Sequence, residues 1–186
     1  EYLNKTYHTS VNSDLIYLTV GAAASLTISF NALVNPGDEI VVISPFFPEY
    51  KVFIEKSGAK LVIAKSNQET FMPDIDEIKK CINKNTKALL INYPNNPTGV
   101  MIDEESLKAL CKLLKEKEIE YNHPIYLISD EPYRELLYNN KPYLFVTNYY
   151  DNSIVCYSFS KSLSLPGERI GYILVNPKCL NAKEVY

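Results

Sequence analysis

Apolar residues in this chain gather into short, nearly continuous runs, separated by longer stretches in which they recur every three or four positions. Seven runs have strand length: Ile16–Val20, Glu39–Ile43, Lys60–Ala64, Ala88–Asn92, Ile125–Ser129, Ser153–Tyr157 and Ile170–Val175. Most are dense in Val, Ile and Leu, as strands covered on both faces of a parallel sheet are. Between them, Asp74 followed by Glu77 reads as a helix start, with Ile75, Ile78 and Ile82 on one face. Asp103 opens a second helix with Leu107, Leu110, Cys111 and Leu114 as its buried stripe, and Glu1 to Tyr7 also looks helical. Alternating strands and helices predict α/β architecture. The connection before the last strand is too short for a helical crossover, so that strand is expected to run antiparallel.

The stretch from Leu15 to Val34 carries no charge and is about as long as a bilayer span. Its β-branched start, the glycine at 21, the polar Thr27, Ser29 and Asn31 and the lack of flanking Lys or Arg argue against a membrane helix. A buried strand, a turn at Gly21 and a buried helix are expected instead.

Composition adds exclusions. With 186 residues, 46% of them apolar, the chain suits one domain with a sizeable core. A net charge of -3 supplies no basic field for nucleic acid. The four cysteines form no C-x-x-C pair, and Cys156 lies inside an apolar run, so a reduced cytoplasmic protein is expected. Neither His8 nor His123 sits in a motif, and no metal site is expected. No G-x-G-x-x-G, P-loop or G-x-S-x-G occurs, which argues against a nucleotide-binding Rossmann protein and a serine hydrolase.

In an open parallel sheet, ligands bind beyond the carboxyl ends of the strands. Five such ends lead into unusual loops: GAAAS, PFFPEY, YPNNPTG, DEPYRE and SFSKS, and Arg169 precedes the antiparallel strand on the same edge. Gly21 opens a helix whose first N–H groups, from Ala22 and Ala23 onward, form an anion site. Ser158, Ser160 and Arg169 add two hydroxyls and a guanidinium suited to a phosphate monoester. Lys161, near that guanidinium, can form a Schiff base when neutral, and Asp130 at a strand end needs a cationic partner. Together they ask for a ligand with a phosphate, a carbonyl and a protonatable nitrogen.

SFSKSLSLPGERIGY resembles the S-x-S-K-x(7)-R-x-G signature of the class I and II aminotransferases. NYPNNPTG is similar to their N-P-x-G loop and SDEPYREL to their D-x-x-Y motif, in family order. The resemblance implies fold type I: a three-layer α/β/α sandwich on a seven-stranded, mostly parallel sheet with one antiparallel strand. It also implies pyridoxal 5′-phosphate as cofactor, with an amino acid and a 2-oxo acid as substrates. Lys161 would hold the cofactor aldehyde and move the proton, while Asp130 would pair with the pyridinium nitrogen. Asn96 and Tyr133 would hydrogen-bond the phenolic oxygen and Phe47 would stack on the ring. Gly21, Ala22, Ala23, Ser158, Ser160 and Arg169 would hold the phosphate.

The family's usual hydroxyl near the position of Ala23 is missing, which leaves more of the phosphate to backbone N–H groups. Residues 1–186 are expected to be a cofactor-binding large domain, a fragment without the N-terminal arm and C-terminal small domain that complete the family site, and weakly active alone. A homodimer is implied for the full-length protein. The same motifs suit another fold type I enzyme, such as a C–S lyase, or a non-catalytic effector domain of a transcriptional regulator; transamination leads on family frequency.

Overall fold

Every apolar run forms a strand, within two residues of its sequence bounds. The computed structural model describes residues 1–138 and 142–185. Its strands are β1 (Ile16–Thr19), β2 (Glu39–Ser44), β3 (Lys60–Lys65), β4 (Thr86–Ile91), β5 (Tyr126–Asp130), β6 (Ser153–Ser158) and β7 (Gly171–Val175). They make one sheet in the order β1-β7-β6-β5-β4-β2-β3. Five of them, β2 to β6, pair in parallel, and β7 runs antiparallel to both neighbours, β1 and β6.

The helices are α1 (Tyr2–Tyr7), α2 (Ala22–Leu33), α3 (Glu49–Lys56), α4 (Ile75–Cys81), α5 (Glu104–Tyr121), α6 (Phe159–Ser162) and α7 (Ala182–Val185). Alternation along each strand divides the core between two faces. Val41, Ile43, Leu89, Ile91, Leu127 and Val155 face one side with Leu3 of α1, Ile78 of α4 and the α5 stripe. Ile40, Val42, Leu90, Ile128, Ile154 and Cys156 face the other with Leu26 and Phe30 of α2 and Tyr50 and Ile54 of α3. Both faces are covered, which is why the central strands read as unbroken apolar runs.

Local chemistry sets the helix starts. Asp74 accepts a hydrogen bond from the Glu77 N–H at 3.0 Å, and Asp103 accepts one from the Ser106 N–H at 2.7 Å. Each satisfies a donor that the first turn leaves unpaired. Helix α4 stops at Cys81, one residue short of the expected stripe; Ile82 is extended yet still 3% exposed, so it packs without being helical. The Leu15–Val34 stretch divides into β1, a turn at Gly21 and α2, and among the described residues no helix is long and apolar enough to cross a membrane.

The sheet register brings the binding edge together. At the start of β7, Gly171 pairs with Thr19 of β1 on one side and Ser158 of β6 on the other. A Cβ on Gly171 would collide with the Tyr157 carbonyl oxygen and stand 2.9 Å from Gly21 Cα. Gly171→Ala is therefore expected to destabilise the fold by ~1–3 kcal/mol through overpacking against backbone. Asp103→Ala, which removes only a cap, should cost ~1 kcal/mol. Urea unfolding of the two variants checks the size of each loss and their order.

Candidate active site

Helices α2, α3 and α6, the loops after β2, β4 and β5, the end of β6 and the segment before β7 enclose a cleft of about 320 Å³. Ala22, Ala23, Phe47, Asn96, Asp130, Tyr133, Ser158, Ser160, Lys161 and Arg169 all line it. Gly21, also expected here, lies behind the wall as the N-cap of α2. Sequence reasoning missed Tyr50 and Asn92, which line the cleft as well.

Donors that could hold an anion gather at one end of the cleft. Gly21 has φ 91°, a conformation that L side chains rarely adopt, and no side chain caps α2. The first N–H groups of this twelve-residue helix therefore face the cleft end without a side-chain partner. Arg169 lies directly against the turn: its Nη2 reaches the Val20 carbonyl at 3.4 Å, and a Cβ on Gly21 would come within 2.5 Å of it. The same guanidinium donates to the Pro166 carbonyl at 3.0 Å. Ser158 is buried and caps α6, accepting from the Ser160 N–H at 3.1 Å, with the two hydroxyls 2.7 Å apart. Ser25, the nearest hydroxyl on α2, turns back to the Gly21 carbonyl at 3.3 Å and to Thr19 at 2.7 Å. It does not replace the family hydroxyl.

The deep wall carries a carboxylate. Asp130 closes β5 at 6% exposure. Its Oδ2 accepts a hydrogen bond from Tyr50 at 2.5 Å, while Oδ1 is buried without a partner among the described residues. Burial pushes the carboxyl up to about 7, against the Tyr50 hydrogen bond and with help from the Glu131 charge. Asn92 anchors the neighbouring loops: its Nδ2 donates to the Asp130 carbonyl at 2.8 Å, and its Oδ1 accepts from the Asn96 N–H at 3.2 Å.

Tyr133 holds its hydroxyl proton firmly, because burial and the Asp130 charge raise its pKa, although the Asn96 side chain beside it works the other way. Phe47 stands edge-on to Tyr50, with centroids 5.6 Å apart and an interplanar angle of 77°. Lys161 is not at a strand end as expected but in α6, and it is exposed at the cleft mouth.

Residues 1–184 match the family described as aminotransferase class I and II. The chain belongs to this family. An aspartate aminotransferase of Pyrococcus horikoshii is 34% identical over 176 residues, 94% of this chain and 44% of that protein. A probable N-acetyl-LL-diaminopimelate aminotransferase of Bacillus subtilis is 36% identical over 158 residues, 85% of this chain and 39% of that protein. The crystal structure of an amino transferase from Eubacterium rectale superposes with a TM-score of 0.98 at 50% identity, covering 100% of this chain and 47% of that one. This aminotransferase-family chain thus has the fold type I architecture and spans less than half the length of these relatives.

Asp130 makes stability depend on pH. Its pKa is raised in the folded state from 3.8 to about 7, so the folded protein holds the proton more tightly. The associated stability is fully present below pH 3.8 and is lost as the pH rises to about 7. Asp130→Asn cannot titrate. Relative to the ligand-free wild type it should gain stability across that window and level off above it, as read by urea unfolding at a series of pH values.

Proposed function

We propose that this chain is the pyridoxal 5′-phosphate-binding domain of an aminotransferase that moves an amino group between an amino acid and a 2-oxo acid. The observation that carries the reading is Asp130 Oδ1, buried, unpartnered and on the wall of a cleft that also holds Lys161 and an anion cradle. A carboxylate in that state is stabilised by a cation of fixed position. A protonated ring nitrogen supplies one. The donor set elsewhere fits the rest of the cofactor: backbone N–H groups of α2, the Ser158 and Ser160 hydroxyls and the Arg169 guanidinium suit a phosphate dianion.

When bound, pyridoxal 5′-phosphate supplies an aldehyde that takes up amino groups and a ring that draws electrons from the carbon bearing them. Asp130 would keep the ring nitrogen protonated through Oδ1, with Tyr50 fixing the carboxylate through Oδ2. Tyr133 and Asn96 would donate to the phenolic oxygen, since the raised pKa of Tyr133 keeps its proton in place. Phe47 would pack on the ring face, and Lys161 Nζ would be the attachment point and the carrier of the transferred proton.

The reading extends to residues 1–186 as a large domain completed by further chain, in a cytoplasmic homodimer. Exposed apolar side chains by the cleft mouth, Leu163 at 58% and Leu165 at 42%, suit a covering partner. Relatives of similar identity bear the names of different substrates, so the proposal stops at the class of amino acid and 2-oxo acid. Neither the lyase nor the regulator reading is favoured by them.

Borohydride reduction of protein mixed with pyridoxal 5′-phosphate should leave one adduct, mapped by mass spectrometry to Lys161 and absent from Lys161→Ala. Arg169→Ala should weaken cofactor binding about tenfold, as loss of a charged hydrogen bond does. An intact protein that yields no adduct would overturn the reading.

A further inference from the structure

Lys161 rides on α6, only four residues long, and a helix of that length does not hold itself in water. Ser158 caps its start. At its other end, Ser162 Oγ lies 2.6 Å from Tyr157 Oη, and Tyr157 donates to Glu135 Oε2 at 2.6 Å. A tyrosine hydroxyl has one proton, and here it goes to the carboxylate. The serine must then be the donor in its contact with Tyr157. The result is a directed chain, Ser162 to Tyr157 to Glu135.

Glu135 belongs to the loop that leaves β5, two residues after Tyr133 and five after Asp130. Its other oxygen accepts from Tyr2 at 3.1 Å and stands 3.8 Å from Arg134 Nη2. Arg134 is 1% exposed, pairs with Glu131 at 2.9 Å and lies 4.1 Å over the Tyr157 ring. Tyr157 is therefore held through its ring as well as its hydroxyl. Tyr157, Ser162 and Glu135 do not line the cleft.

We propose that Tyr157 is a positioning residue: through Ser162 and Glu135 it ties the helix bearing Lys161 to the loop bearing Tyr133 and Asp130, and so sets the amine against the rest of the site. The inference rests on the proposed function. It separates two tasks that a single cofactor-binding measurement merges, the grip on phosphate and ring and the aim of the lysine at the aldehyde. The network acts on the second.

The test uses wild type, Tyr157→Phe, Ser162→Ala, the double variant and Ser162→Thr. Trapping of pyridoxal 5′-phosphate on Lys161 by borohydride at limiting cofactor is compared with the dissociation constant for pyridoxine 5′-phosphate, which has no aldehyde. Ser162→Ala, which loses one hydrogen bond, should lower trapping about fivefold, Tyr157→Phe, which loses two, at least as much, and the double should be no worse than Tyr157→Phe alone. Ser162→Thr should restore trapping, and pyridoxine 5′-phosphate should bind all variants as it binds wild type. Ser162 is only partly buried, so Ser162→Ala keeps the test valid if Tyr157→Phe disturbs the core. Unchanged trapping, additive losses or an equal loss of pyridoxine 5′-phosphate would each overturn the inference. If the wild type itself traps nothing, the proposed function falls and this inference with it; if the wild type traps and the variants match it, only this inference falls.

Discussion

Two glycine backbones in contact hold the binding edge together. Strand β7 enters the sheet against the direction of its neighbours and must start where β1 and β6 end. That row, Thr19–Gly171–Ser158, has no room for a side chain at its centre, because Gly171 faces the Gly21 backbone on one side and the Tyr157 carbonyl on another. Gly21 answers with a φ of 91°, which turns the chain from β1 into α2. Since β7 passes so close, Arg169, two residues before it, reaches the Val20 carbonyl and lies over the Gly21 turn. A helix N-terminus alone binds anions weakly, and an exposed arginine alone is screened by water. Packed against one another they make a directional cradle, and the packing is possible only without Cβ atoms.

The deep wall poses the opposite problem, an excess of buried charge. Asp130 and Glu131 are consecutive carboxylates, 6% and 0% exposed. Alternation at the end of a strand sends neighbours to opposite faces. Glu131 meets Arg134 at 2.9 Å, so its charge is compensated within the protein. Among the described residues the Asp130 carboxylate meets only the Tyr50 hydroxyl, a neutral donor, and keeps one oxygen unpaired. Each keeps one buried oxygen without a hydrogen bond among the described residues, yet Glu131 has a cation beside it and Asp130 has none. The raised pKa of Asp130 is the thermodynamic form of that demand.

Much of this was legible in the sequence, and the parts that were not share a cause. Strand positions followed from apolar runs because both faces of the sheet are covered, and the antiparallel β7 followed from a short connection. Convergence of the loops followed from the topology, since parallel strands send their carboxyl ends to one edge. Tyr50 was missed because its partner, Asp130, lies 80 residues away and its spacing reads equally well as part of a buried helix stripe. Asn92 was read as the end of a strand, whereas it leaves the sheet and braces Asp130 and Asn96. Lys161 was placed at a strand end, and the serine cap at 158 turns the chain into α6 before reaching it. Glycine at 171 is the last position of the signature, but the signature does not say why it is glycine, because the collision it avoids exists only after β7 is paired on both sides.

Burial grades across the cleft in a way that bears on how it could work. Asp130 is almost sealed, Phe47 is 37% exposed, and Lys161 and Arg169 are open to solvent. An occupant with a cationic ring nitrogen would place that end where the dielectric is lowest and the carboxylate interaction strongest. Lys161 and Arg169, which would hold its aldehyde and phosphate, are on the open side, where an incoming amine could arrive. The deep end is braced by side chains bonded to backbone, such as Asn92 on the Asp130 carbonyl. The mouth is braced by α6, with four residues, and by a segment whose Leu163, Leu165 and Ile170 are exposed. Burial is therefore deepest at the carboxylate, and the open side is the one where, on the proposed function, a group would be exchanged. On the proposed function that asymmetry suits a covalent exchange, because a lysine that would release one amine partner for another needs an access that the carboxylate behind it does not.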